Sequence, residues 1–486
     1  MTKPRTTTAA EEAAATEARE APKHAVSRDA SDGWLPAEEH YAIGKAARGA
    51  VPRKTQAGWL PPGDRPDPIA QLRAQDARRL PELVPIRWGR MSVSPFTFFR
   101  GAALTMAADL AATPSSGLRV QLCGDAHIMN FGVFAAPDRT PIFDVADFDE
   151  TLPGPWEWDL KRLAASVVIG ARDRGFTKSQ GHGAALAAAR SYRAWMRRYA
   201  AMTNAEVWHS RVAADDALAL AKAASKAGTG KTGAVLARAR EHAATQAFAK
   251  LTHVVDGVPR FTDDPPLIAH LAPGQTDMDR DVRQAFRDYK KTLQDDHRAL
   301  LDRYAFVDLA RKVVGVSSVG TVDLVVLMMG RDDGDPLILQ IKEAGASSLE
   351  AFAGRSIYRH HGHRVVAGQR LMQAASDIFL GWIRGAAPDQ RDFYWRQLRD
   401  FKGSVPMEQV RPAGLAVYAA ICGWTLARAH ARSGDRMAIA AYLGKSDRFD
   451  QALAAFAQAY ADQAERDYER LTAAIKQGEV QVETGV

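Results

Sequence analysis

The chain has 486 residues, 46% of them hydrophobic, with 64 Lys and Arg against 57 Asp and Glu. That length fills one large core or two ordinary ones, and the small basic excess is spread along the chain instead of forming a stripe, so no nucleic-acid partner is expected. Two cysteines exclude a disulfide framework, no apolar run nears the roughly 18 residues of a membrane span, and the first thirty residues lack a signal peptide's apolar core; the expected location is cytoplasmic.

Residues 1–40 have few large apolar side chains and no useful periodicity, which predicts a disordered segment. From 41 to 174, short amphipathic helices broken at Pro81, Pro85 and Pro95 lead into "LRVQLCGD", a buried strand entering a loop. "FGVFAAPDRTPIFDVADF" predicts a hairpin turning at Pro137 and Asp138, and "GPWEWDLKRLAASVVIGAR" a helix opened by a Pro-Gly-Pro turn. Residues 175–305, with Ala, Leu, Arg and Lys at helical spacing, read as a helical insertion. The character changes at 306–402. "RKVVGVSSVGTVDLVVLMMGRDDGDPLILQIKEA" predicts three antiparallel strands, the third carrying Lys342, and "DIFLGWI" with "FYWRQLRDF" a further strand pair. Residues 403–486 read as helices.

The chemistry concentrates in "LCGDAHIMNFG", residues 122–132, where Asp125, His127 and Asn130 interrupt apolar residues and glycine. Burying such groups costs free energy unless something satisfies them, so a site is the first reading. Asp125 and Asn130 are five apart, and the hairpin that follows delivers Asp147 in "VADFDET". Protein-kinase-like enzymes arrange phosphoryl transfer in this order: the first Asp takes the proton of the attacking hydroxyl, while the Asn and the second Asp offer hard oxygen ligands to Mg²⁺. Asp144, Asp149 and Glu150 compete with Asp147 for the metal. Two decoys are set aside. "GTGKTG" joins helices instead of following a strand, and His360, His361 and His363 have no partner at ligand spacing and read as a basic loop.

Gly124-Asp125-Ala126-His127-Ile128-Met129-Asn130 resembles the Gly-Asp-x-His-x-x-Asn loop of the aminoglycoside and choline phosphotransferases, with Cys123 where that branch has a His. "PWEWDLKRL" resembles the helix start of the same branch, which implies that Asp159 accepts from loop amides; His127 itself reads as a structural residue holding the loop with a ring nitrogen, a direct chemical role being the alternative. "LAVYAAICGWTLARAHARSG" resembles the helix that ordinarily precedes the catalytic loop. The phosphate-covering turn and its lysine follow the loop here instead of preceding it: Gly315, Ser317, Ser318 and Gly320 in "GVSSVG", then Lys342, with Glu350 as its expected partner. The expected fold is therefore α+β, protein-kinase-like and two-lobed, circularly permuted, with a large helical insertion. The implied activity is Mg²⁺-dependent transfer of a phosphoryl group from ATP or another nucleoside triphosphate to a small-molecule acceptor. Nucleotidyl transfer or nucleotide binding without turnover stand as alternatives on the same site. A metal-dependent hydrolase using the Asp144 to Asp149 carboxylates is the alternative from a different class. "RPDPIAQL", "RMSVSPFTFFRGAA", "CGDAHIMNFG", "FDVADFDETLPGPWEWDLKRLAAS" and "GQRLMQAASDIFLGW" also resemble a bacterial family catalogued as domain of unknown function 2252.

Overall fold

A computed structural model of the chain describes residues 35–225, 244–270, 276–385, 390–398 and 407–486. The architecture is α+β, and its center is the helix Trp156–Asp173, buried on nearly every face from Trp156 to Ala171. Its apolar run "LAASVVIGA" has no wet side to present, because the helices Lys178–Ala201, Pro412–Ser433 and Arg448–Lys476 pack around it. Trp156 stacks on Tyr192 at 5.6 Å within this core. Thr177 opens the helix Lys178–Ala201 with a capping box to Gln180, which fixes where that helix starts.

Four short strands lie on this helical body: β1 (Arg119–Leu122), β2 (Phe131–Ala135), β3 (Pro141–Val145) and β4 (Leu152–Pro155). β2 and β3 form the expected hairpin. β1 pairs antiparallel with β4, so the Pro-Gly-Pro stretch read as a turn is itself a strand. Proline fits there because β4 has a neighbour on one side only and needs no full ladder of donors.

The segment 175–305 departs from a purely helical insertion. It carries β5 (Thr252–Val255), β6 (Val258–Phe261) and β7 (Ile268–Ala269), and β7 is the edge strand of the large sheet. The short β-branched runs "THVV" and "VPRF" around Asp256 and Gly257, both at positive φ, supplied the signal for a hairpin. β8 (Ala305–Lys312), β9 (Asp323–Met329), β10 (Pro336–Ala344), β11 (Gly381–Arg384) and β12 (Asp392–Gln397) complete an antiparallel sheet in the order β11-β12-β10-β9-β8-β7. Along β9, Leu324, Val326 and Met328 face a core with Tyr289 and Trp395, while Val325 and Leu327 face another with Phe261 and Ile268. Cover on both faces explains why "LVVLMM" is continuously apolar.

The helix Ala37–Ala50 begins inside the segment expected to be disordered; residues 1–34 lie outside the described residues, as does "GTGKTG". The three histidines start the helix His361–Met372 instead of forming a loop, with the His360 ring accepting from the His363 amide. Among the described residues no helix is long and apolar enough to cross a membrane.

Candidate active site

β1 delivers the chain to Gly124, whose φ of +86° is open to glycine at little cost. A Cβ there would also lie 2.3 Å from the Glu150 carbonyl oxygen. The turn carries Asp125 to the wall of a cavity, and the amides just before it are fixed from below. Cys123 N and Gly124 N donate to the Asp159 carboxylate at 2.8 and 3.0 Å, as the resemblance implied. Asp159 in turn meets His430 Nε2 at 3.3 Å, and Tyr192 Oη lies 2.8 Å from the other ring nitrogen. The helix ending in "ARAH" thus reaches the loop that precedes it by about three hundred residues.

Asp125 is buried and receives Arg162 Nε at 2.5 Å. Burial raises its carboxyl to about 6, with the charges of Asp147 and Glu150 adding to the rise and Arg162 opposing it. Asn130 Nδ2 donates to the Asp125 carbonyl at 2.8 Å, and the Ala146 amide donates to the Asn130 carbonyl at 2.8 Å. The catalytic-loop candidate and the end of the hairpin are therefore stitched together one residue before Asp147. Burial works to raise Asp147, but the charges of Lys342 and Arg396 outweigh it and bring its carboxyl down to about 2.

Lys342 enters from β10, 193 positions further along the chain, and donates to Asp149 Oδ2 at 2.5 Å. Tyr394, across the ladder on β12, donates to Asp149 Oδ1 at 2.6 Å. Glu350 is not the partner of Lys342, which corrects the expected pair. It lies 4.0 Å from His361 Nδ1, while the carboxylate of Asp149 is the one that reaches the ammonium. Lys342 is 2% exposed and does not line the cavity, so its expected direct contact with phosphates is also corrected: Asp149 stands between it and the open space. Burial works against the lysine's charge, yet Asp149, Tyr394 and Asp147 together hold it well above its ordinary value.

Two further expectations change. Asp144 is buried on β3, where Arg428 donates to both its oxygens at 2.6 and 2.8 Å and the Ala374 amide donates at 2.9 Å. Its position three residues before Asp147 turns it into the body, so it is not a metal ligand, and the hydrolase reading loses one of its carboxylates. His127 does not steady the loop through its ring: Nδ1 is buried without a hydrogen-bond partner, and Nε2 is 3.7 Å from Asp125. The loop is held instead through main-chain amides, with Ile128 N donating to Ser166 Oγ at 2.9 Å. Burial, with Arg100 and Arg162 nearby, keeps His127 neutral well below the usual imidazole range.

Asp125, Asp147, Asp149 and Glu150 line a cavity of about 750 Å³ that Ser317 and Ser318 also line. The turn carrying these serines has Gly315 at φ +72° and Gly320 at φ +93°. Arg79 Nη1 and the Leu80 amide pin it, donating to the Val319 and Gly320 carbonyls at 2.5 and 2.7 Å. Sequence reasoning missed Arg162, although its place three residues after Asp159 puts both on one helix face toward the loop. Arg364, weighed from the sequence with Arg100 and Arg370 as a phosphate holder and set aside, instead donates to the carbonyls of Thr151, Asp149 and Gly345 and so ties the acidic loop to the end of β10. Tyr394 gave no local signal, since its role depends on strand pairing.

The Asp147 carboxylate on the cavity wall is a hard ligand of the kind Mg²⁺ takes, few in number, before phosphate oxygens and water complete its octahedron. Asn130 is not on that wall, and its amide nitrogen donates to the Asp125 carbonyl, which leaves its amide oxygen as the second candidate ligand. Among the described residues no group of three or more His, Cys, Asp or Glu is arranged to hold a metal unaided. No curated protein and no solved structure matches the chain. A bacterial family described as "Uncharacterized protein conserved in bacteria (DUF2252)" matches residues 79–474, a span that includes every residue of the cavity wall named above and more than half of the chain, and the chain belongs to that family.

Proposed function

We propose that the chain is a Mg²⁺-dependent phosphotransferase of protein-kinase-like, circularly permuted design, moving a phosphoryl group from a nucleoside triphosphate to a small-molecule hydroxyl. The observation that carries this reading is convergence. Asp125, Asp147 and Asp149 from the first third of the chain share one cavity with Ser317 and Ser318, and Lys342 is bonded to Asp149 from behind. The Asp159 and His430 contact supports the permutation, because it places the late helix beneath the early loop.

In this reading Asp125 takes the proton of the acceptor hydroxyl while the hydroxyl oxygen bonds to the γ-phosphorus and the bond to the nucleoside diphosphate breaks. Arg162 and the Asp159 amide cradle hold that carboxylate in place. Asn130 and Asp147 would hold Mg²⁺, which supplies charge neutralisation for the transferring group when bound. Lys342 acts one step back: it fixes Asp149 and keeps Asp147 ionised at any physiological pH. The glycine turn, anchored by Arg79 and Leu80, offers serine hydroxyls and main-chain donors over the phosphates. Incubation with MgATP and a panel of small hydroxylated and aminated acceptors, followed by mass spectrometry of nucleotides and acceptors, tests the proposal. ADP with a phosphorylated acceptor is expected; AMP addition or inorganic phosphate without acceptor dependence would replace it.

A further inference from the structure

The cavity wall also carries Arg78 and Arg359, both exposed, and neither has a carboxylate partner among the described residues. Every other arginine on that wall is engaged. Arg79 donates to the Val319 carbonyl and lies 3.6 Å from Asp76, Arg384 meets Asp392 at 3.1 Å, and Arg391 meets Glu343 at 2.8 Å. The neighbouring carboxylates are likewise taken. Glu150 accepts from the Ser348 amide and hydroxyl, Glu343 from the Val322 amide, and Asp392 from the His361 amide.

The two arginines sit on anchored backbone. The Arg78 and Arg79 amides donate to the Gln75 and Asp76 carbonyls, and the Leu80 amide that follows donates to Gly320 of the glycine turn. Arg359 lies just before the helix His361–Met372, whose start is held by His360 and Asp392. Arg78, Arg359 and His361 all line the same cavity. Two guanidinium groups without a carboxylate partner on one cavity wall leave positive charge uncompensated there, and an anion bound on that wall would offer acceptors to both planar forks.

We propose that Arg78 and Arg359 form an anion subsite that takes a phosphate or carboxylate group of a bound substrate. Assigning that group to a substrate of phosphoryl transfer rests on the reading above; the binding of an anion does not. Two sources share this chemistry, the polyphosphate of the nucleotide and an anionic group of the acceptor.

Calorimetric titration of the full chain with inorganic tripolyphosphate, without Mg²⁺, reads the subsite alone. Binding is expected in the wild type, to weaken about tenfold in Arg78→Gln and in Arg359→Gln and further in the double variant, as for the loss of charge-assisted hydrogen bonds. Both side chains are exposed, so thermal melting of the variants should match the wild type. Competition between tripolyphosphate and MgATP would assign the subsite to the nucleotide, and simultaneous binding would assign it to the acceptor. Absence of binding to the wild type, or equal affinity in the double variant, overturns the proposal. A failed transfer assay with intact, arginine-dependent tripolyphosphate binding would count against the transfer reading alone.

Discussion

Asp125 must be ionised to accept a proton, and its carboxyl is raised to about 6 by burial, so activity should climb with pH through that value and level off above it. The rate of phosphoryl transfer against pH checks this; a midpoint near the ordinary carboxylate value of about 4 would contradict it. Asp125→Asn should lower kcat by roughly 10² to 10⁴, the usual range for a general base. Asp147 behaves oppositely. Its carboxyl lies at about 2, below the unfolded value of about 3.9, so the stability it contributes is present above pH 4 and is lost only as pH falls toward 2. Asp147 itself should therefore add no pH dependence to Mg²⁺ affinity between pH 5 and 8 in a calorimetric titration, and any rise in that range should follow the ionisation of Asp125 near 6. Gly124→Ala combines a positive φ with a clash against the Glu150 carbonyl, and should cost about 1–3 kcal/mol of stability in a denaturant melt. The loop from Asp125 to Asn130 was legible because its polar residues break an apolar run. The partner of Lys342 was not, since Asp149 reaches it through tertiary packing that no local spacing encodes.

Strands and helices sort the remaining acids. On β3, Asp144 and Arg428 form a fully buried pair, so Asp144→Asn should destabilise the fold by about 3–5 kcal/mol while the folded fraction keeps its kcat. Loss of chemistry without loss of stability would instead return Asp144 to the metal site. On β9, burial raises Asp323 to about 7 despite Lys342 and the hydrogen bonds from Gln340. A raised carboxyl stabilises fully below about 4 and loses that contribution progressively as pH climbs to 7. Melting curves of Asp323→Asn should therefore gain on the wild type between pH 4 and 7 and run parallel above; parallel curves throughout would refute the assignment. At this scale β9, β10 and the pair β11 and β12 were readable from β-branched and aromatic runs and the "RDDGDP" turn, whereas the first expected strand, in the stretch beginning at Arg311, is displaced: β8 runs Ala305–Lys312, mostly ahead of that stretch. β4 was hidden by its prolines, which edge position tolerates, and β5 to β7 by the helical composition on either side.

Across the molecule, the acidic loop and the sheet are joined at buried points: Lys342 to Asp149, Arg364 to three carbonyls, and Ser347 and Ser348 to Glu150. Most of the segments that meet there are about two hundred residues apart, so the expectation of a permuted design rested on the order of motifs along the chain and not on their spacing. The residues of the cavity that no motif named, Arg78 and Arg359 among them, become neighbours only when the sheet folds onto the helical body. On the proposed reading these pieces form one nucleotide cleft closed around Asp147. Calorimetric titration of MgATP into the wild type and Asp147→Asn is the decisive measurement. Binding by the wild type that weakens at least tenfold in the variant is the predicted result; no binding by the wild type, or equal affinity in both, would contradict it.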